Sequence, residues 1–266
     1  MVAKERIFLK LGGSVLTDKT RPKTPLMDVI RKLASQISEA VAGGDLELLL
    51  GHGSGSFGHW AAHEFESIKR TNPQLYTAKV HAVAAELNHI VVSALVDAGV
   101  KAIHYPPSAV IFARDDVPSR LCLGALTEML EHGFVPVTYG DAVPDGMRGG
   151  TIFSTERVFL TLNPVLRPRR ILLVSDVNGV YTADPHVDPN AEHIPEITPD
   201  NFSEVRAALG GARGFDVTGG MLGKVESMLQ LVKTSPWVDE VQLLSPEGDN
   251  LLRALRGEHV GTIIHL

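Results

Sequence analysis

The stretch Phe8-Leu9-Lys10-Leu11-Gly12-Gly13-Ser14 carries an apolar run into a lysine and then turns on two glycines. Apolar residues closed by a glycine pair predict a β-strand ending in a tight turn. Such a turn exposes backbone N–H groups that can cradle an anion, and Lys10 would set a point charge beside them. A plain strand end looks the same, so the phosphate reading needs support from the rest of the chain. Two better-known cradles are excluded. The phosphate loop requires G-x-x-x-x-G-K-[ST], and neither Gly12-Gly13-Ser14 nor Gly220-Met221-Leu222-Gly223-Lys224 has that spacing. No G-x-G-x-x-G follows a strand with an acidic residue about 20 positions on, so a Rossmann dinucleotide site is excluded too.

Outward from this turn, short apolar runs alternate with helical periodicity. Strands are predicted over 7–9, 46–50, 100–104, 134–138, 171–174, 240–244 and 261–265. Between the first two, Leu26, Val29, Ile30, Leu33, Ile37 and Val41 share one helical face, and Gly43-Gly44 closes the helix. The segment 76–98 repeats the pattern through Val80, Val83, Leu87, Ile90, Val91 and Leu95, closed by Gly99. Strands alternating with helices predict an α/β fold with a parallel, helix-covered sheet, whose ligands bind beyond the carboxyl ends of the strands. Glycine clusters stand there, after Leu9, Leu50, Tyr139 and Val174. No repeat or low-complexity linker interrupts the chain. It reads as one domain over 1–266, with halves 1–164 and 165–266.

Composition narrows the function. The 266 residues are 44% hydrophobic and 21% charged, with a formal charge of −6, and no basic run exceeds 167–170. A nucleic-acid surface is therefore excluded. The single cysteine, Cys122, rules out an internal disulfide framework; beside apolar neighbours it is expected to be a small buried hydrophobe. The N-terminal residues lack the apolar core of a signal peptide, and no apolar run approaches 18 residues. A cytoplasmic location is the expectation.

Three further clusters carry chemistry. Gly51-His52-Gly53-Ser54-Gly55-Ser56-Phe57-Gly58-His59 has more glycine than a turn requires, which suggests close backbone approach to a ligand with Ser54, Ser56 and His59 aimed at it. A tight strand-to-helix turn with solvent histidines is the bland alternative. His59 and His63 could share a helix face as metal ligands, but H-E-x-x-H is absent and no metal set is assigned. Ser175-Asp176-Val177-Asn178-Gly179-Val180-Tyr181-Thr182-Ala183-Asp184-Pro185 is a polar loop after a strand, readable as a surface turn. Phe215-Asp216-Val217-Thr218-Gly219-Gly220-Met221-Leu222-Gly223-Lys224 approaches a helix start, where Lys224 opposes the helix dipole unless an anion sits there.

Taken in order, KLGGS, GSGSFGH, SDVNGVYTADP and FDVTGGM-x-x-K resemble the amino acid kinase superfamily over essentially the whole chain, and the histidine closing GSGSFGH is similar to its isopentenyl phosphate kinase branch. The resemblance implies a three-layer α/β/α sandwich around a mostly parallel central sheet. It also implies ATP and Mg²⁺ as cofactors, isopentenyl phosphate as the small-molecule substrate for isoprenoid biosynthesis, and a homodimer. Lys10 would contact the transferring phosphoryl group, with Lys19 as the second lysine of the reacting centre. Gly12, Gly13, Ser14 and Gly55 would line the nucleotide phosphates, reached also by Gly220 and Lys224. Ser54, Gly55 and His59 would meet the acceptor phosphate. Asp176 and the segment 181–186, with Tyr181 and Asp184, would hold the nucleotide.

One departure stands out. Where the family shows Ser-Gly-Asp-Asp, this chain has Ser154-Thr155-Glu156-Arg157. Glu156 would take the place of the aspartate that orients the lysines, and Thr155 that of a glycine approaching the acceptor. Fosfomycin kinases, a neighbouring branch, are similar at this segment, so fosfomycin or another small phosphonate is the alternative acceptor. A non-catalytic sensor of this fold and a histidine-based metallohydrolase are more distant alternatives. A phosphate monoester is largely dianionic at neutral pH and needs no general base, which leaves His59 to fix it in line. Phe57, Trp60, Tyr76, Val80 and Val83 are the candidates for an isoprenoid pocket, and Asp141 is a reserve carboxylate, structural or near a metal.

Overall fold

The computed structural model describes residues 4–210 and 220–266. In chain order it runs β1 (Glu5–Leu11), α1 (Gly13–Leu16), α2 (Met27–Val41), β2 (Leu46–His52), α3 (Gly55–Glu64), α4 (Pro73–Asp97) and β3 (Ala102–His104). There follow α5 (Pro107–Val110), β4 (Ile111–Arg114), β5 (Val117–Leu121), α6 (Gly124–Glu131), β6 (Val135–Tyr139), β7 (Asp141–Val143), β8 (Thr151–Phe153) and α7 (Thr155–Leu166). The rest comprises β9 (Arg170–Val174), β10 (Val180–Tyr181), β11 (His193–Ile194), β12 (Glu196–Ile197), α8 (Phe202–Gly210), α9 (Gly220–Thr234), β13 (Glu240–Leu244), α10 (Asn250–Leu255) and β14 (Thr262–Ile264).

Eight strands form the central sheet in the order β12-β14-β13-β9-β1-β2-β6-β3. Every pair is parallel except β13 with β14. All seven predicted strands lie in it. The eighth, β12, is two residues next to a proline, too short to show a period. The inner strands β9 and β13 are buried on both faces, as a parallel sheet under two helical layers requires. On one side Ile30, Leu33 and Ile37 of α2, Leu87 and Leu95 of α4 and Leu251 of α10 pack on Ile7, Leu9 and Leu11. On the other, Leu126 of α6, Phe159 and Leu162 of α7 and Met228 of α9 pack on Phe8 and Leu49. The α/β/α sandwich is thus present.

Local signals explain the elements that frame the site. Asn72 caps α4, its side-chain oxygen accepting from Leu75 N at 3.1 Å, with Pro73 at the first helical position. By length and composition α4 could cross a membrane, yet half of its most apolar window is buried inside the protein, so its hydrophobicity serves the core. Cys122 departs from expectation: it is exposed just after β5, where the hairpin edge faces solvent.

Candidate active site

Alternation along β1 decides where Lys10 goes. Ile7, Leu9 and Leu11 face the α2 and α4 layer, so Phe8 and Lys10 face α7. The first turn of α7 meets Lys10 with Glu156, whose Oε1 accepts a hydrogen bond from the Lys10 ammonium. Burial pushes the Glu156 carboxyl up, but the charge and hydrogen bond of Lys10, its own backbone N–H and the charge of Lys224 outweigh this and hold it below the usual carboxylate range. Lys10, Glu156 and Lys224 form one electrostatic cluster.

The approach of α7 depends on Gly51, which pairs in register with Lys10. A Cβ at Gly51 would lie 2.5 Å from Thr155 Cγ2 and 2.9 Å from the Phe159 ring. Thr155, expected at the acceptor, is 1% exposed and donates its hydroxyl to His52 O at 2.6 Å. Its buried side chain spaces α7 from β2.

Beside this cluster the first two glycine turns pack backbone against backbone. Gly12 N donates to Val174 O and Gly53 N to Leu11 O, each at 2.9 Å. A Cβ on Gly53 would sit 2.7 Å from Gly13 N, and one on Gly13 would overlap the backbone of Gly55. Gly55 has φ +49 and leaves no room for a side chain beneath Thr17 Oγ1, which accepts from Ser56 N at 2.9 Å and donates to Gly13 O at 2.7 Å. Ser14 lies in α1 beyond the first turn; Ser54 precedes α3, and His59 is exposed in that helix.

The third cluster closes the site from the neighbouring strand β9. Lys19 Nζ lies 3.4 Å from Asp176 Oδ2, both well exposed. Hydrogen bonds from the Thr20 hydroxyl, then Arg21 and Thr20 N–H, hold Asp18 at about 2 and tie down the turn that carries Lys19. Asn178, not singled out from sequence, accepts from Ser245 N at 3.1 Å and anchors this loop to the end of β13. The Tyr181 ring stands 5.1 Å from that of His193. Asp184 organises its own turn, accepting from His186 N at 2.9 Å. Gly220 opens α9 with φ +59, and Lys224 follows in its first turns. The segment 215–219 of the fourth cluster lies outside the described residues.

Other sequence candidates have structural roles. His52 is fully buried between Gly53 O and Asn88 Oδ1, each 3.1 Å away, and burial pushes its pKa down. Asp141 is buried and accepts from Ala142 N, Ser108 N and His81 Nδ1 at 2.8, 3.1 and 2.9 Å. Phe57, Tyr76, Val80 and Val83 are core residues, while Trp60 is half-buried under Lys23, 5.2 Å from its ring. Reading the sequence missed the partner of α7: Arg157 donates to Asp116 Oδ1 at 2.7 Å, tying the helix to the turn of the β4–β5 hairpin. The signal available was a cation in the first turn of a helix, where the dipole disfavours it.

Comparison with known proteins agrees with this geometry. The family model described as amino acid kinase family matches residues 5–236. The isopentenyl phosphate kinase of Methanothermobacter thermautotrophicus is 34% identical, with 96% of each chain covered. That of Haloferax volcanii is 35% identical over 97% of this chain and 98% of its own. A crystal structure of an isopentenyl phosphate kinase superposes with a TM-score of 0.80 at 30% identity, covering 98% of this chain and 100% of that one. A fold that agrees over nearly the full length and identities of 34% and 35% leave one placement: the chain belongs to the amino acid kinase family, on its isopentenyl phosphate kinase branch.

Proposed function

We propose that this enzyme transfers the γ-phosphoryl group of ATP to isopentenyl phosphate, giving isopentenyl diphosphate and ADP. The observation that carries the reading is the cluster of Lys10, Glu156 and Lys224 at the double glycine turn, in a chain about one-third identical to isopentenyl phosphate kinases. Phosphoryl transfer needs positioning and cations around the equatorial oxygens more than covalent help. Glu156, held ionised, aims Lys10 from β1; Lys224 adds its charge to this cluster, and Lys19 stands beside Asp176. An oxygen of the acceptor phosphate attacks the γ-phosphorus and the bond to ADP breaks, with the acceptor already anionic. Ser54, Gly55 and His59, at the start of the ten-residue helix α3, would hold the acceptor phosphate through backbone N–H groups and the imidazole.

Magnesium fits as a companion of the nucleotide. Among the described residues no three His, Cys, Asp or Glu side chains gather to hold a cation, and Mg²⁺ is commonly held by phosphate oxygens with one or two carboxylates, here Asp176. Its contribution would be neutralisation of phosphate charge. The half 1–164 would carry the acceptor and 165–266 the nucleotide, in a cytoplasmic homodimer; light scattering near twice the 28.7 kDa chain mass tests the dimer.

The testing experiment is ADP release with Mg·ATP and either isopentenyl phosphate or fosfomycin. Fast turnover on isopentenyl phosphate is expected, and His59→Ala should lower it by about 100-fold or more, the range of one lost transition-state donor, while ATP still binds. Preference for fosfomycin, or unchanged turnover in His59→Ala, would overturn the acceptor or the histidine's role respectively.

A further inference from the structure

The first turn of α7 holds Glu156-Arg157, an anion and a cation side by side where the helix dipole favours only the anion. Both terminal nitrogens of the Arg157 guanidinium are engaged. One nitrogen, Nη1, donates to Asp116 Oδ1 at 2.7 Å and to Ile152 O at 3.3 Å; Nη2 donates to the Asp116 carbonyl. The guanidinium carbon stands over the Phe153 ring, 3.8 Å from its centre, and Phe153 is fully buried. Backbone N–H of Arg157 meanwhile donates to the capping hydroxyl of Ser154 at 3.2 Å. This first turn therefore has little freedom, and Glu156 is part of it.

At the other end of the contact stands the hairpin turn. Asp115 and Asp116 both take left-handed backbone, with φ +51 and +65. That turn is seated by Asp145, which is 4% exposed and accepts from the backbone N–H groups of Asp115, Asp116, Met147 and Arg148 at 3.2, 2.7, 2.7 and 2.9 Å. Phe112 and Val117 face outward and are exposed, while Ile111 and Ala113 are buried in the core, so the hairpin is held by its inner face together with these polar contacts. A chain of contacts runs from Asp145 through the hairpin turn to Arg157, and through one peptide bond to Glu156 and Lys10.

We propose that Arg157 is a positioning residue that ties the β4–β5 hairpin to the first turn of α7 and thereby holds Glu156 against Lys10. The proposal rests on reading the Lys10 site as the phosphoryl-transfer centre, but its main test does not need turnover. The readout is the rate at which a succinimidyl acetate reagent modifies Lys10, followed by peptide mass in the full-length protein. Lys10 released from its carboxylate should react faster, so Glu156→Gln gives the upper reference and exposed Lys101 the internal control. Arg157→Gln and Asp116→Asn are each expected to raise Lys10 labelling at least threefold, with Lys101 unchanged.

In turnover, kcat should fall at least tenfold in either variant while KM for ATP stays within twofold, and the double variant should be no slower than the worse single one. Unchanged Lys10 labelling in a variant that melts cooperatively, or losses that multiply in the double variant, would overturn the proposal. If Arg157→Gln does not fold, Asp116→Asn carries the same comparison from the hairpin side. Failure of the wild type to use isopentenyl phosphate would refute the functional reading and leave the labelling result standing.

Discussion

Single side chains, or their absence, set the geometry of this site. Gly51 is the sharpest case, because a methyl there meets Thr155 Cγ2 at 2.5 Å and the Phe159 ring at 2.9 Å, and both belong to a packed helix that cannot give way. Gly51→Ala should destabilise the fold by about 1–3 kcal/mol, as overpacking does, and should lower kcat far more than a change of stability accounts for, since it lifts Glu156 from Lys10. Chemical denaturation and initial rates on one preparation decide this; a fully active, equally stable variant would contradict the packing described. His81 makes a different prediction. The hydrogen bond to buried Asp141 raises its pKa, burial partly offsets that, and the carboxylate's charge adds to the rise. A raised folded-state value means that the pair's stabilisation is complete below about pH 6.5, the ordinary histidine value, and fades as pH climbs through the higher one. His81→Gln should therefore cost more at pH 6 than at pH 9, and equal costs at the two would refute the charged pairing.

At the scale of elements, α7 is the component on which most depends. Its N-cap Ser154 accepts from Arg157 N at 3.2 Å, and Ser154→Ala should cost roughly 1 kcal/mol of stability by loss of that cap. Because Glu156 sits in the capped turn, the same variant should also slow turnover, whereas an exposed substitution at the far end of α7 should not. How much of this was legible follows from the physics of each element. The strands of the central sheet showed themselves as dense apolar runs, and α2 and α4 as apolar stripes closed by Gly43-Gly44 and Gly99. The hairpins stayed hidden because β5 is mostly exposed and β10 has only two residues, so no two-residue period could emerge. Lys10 and its glycines were legible because they are contiguous. The contact of Arg157 with Asp116 was not, being made across 41 residues between segments with no motif of their own. Thr155, aligned with a glycine near the acceptor, has its side chain buried against the His52 carbonyl, a contact between distant segments that no local pattern announces.

For the molecule as a whole, the early and late segments of the chain meet where β1 pairs with β9, Ile7–Leu11 running beside Arg170–Val174. The Lys19–Asp176 pair bridges that junction at 3.4 Å, in solvent. Exposed pairs contribute about 0–1 kcal/mol to stability, so Asp176→Asn should leave the melting transition almost in place. If the loop after β9 holds the nucleotide, the same variant should raise KM for ATP several-fold and leave KM for the acceptor alone; an unchanged KM for ATP would remove Asp176 from the nucleotide site. The architecture of β1 has one more consequence. Since odd positions of that strand feed one core and Lys10 shares the other face with Phe8, deleting a single residue between Glu5 and Leu9 exchanges the two faces at a stroke, sending leucines toward α7 and the lysine into the layer of α2 and α4. A gene library that shuffles this segment among relatives will thus contain full-strength clones only where the exchanged pieces agree in parity, and the same count of residues will separate chains that fold from chains that do not.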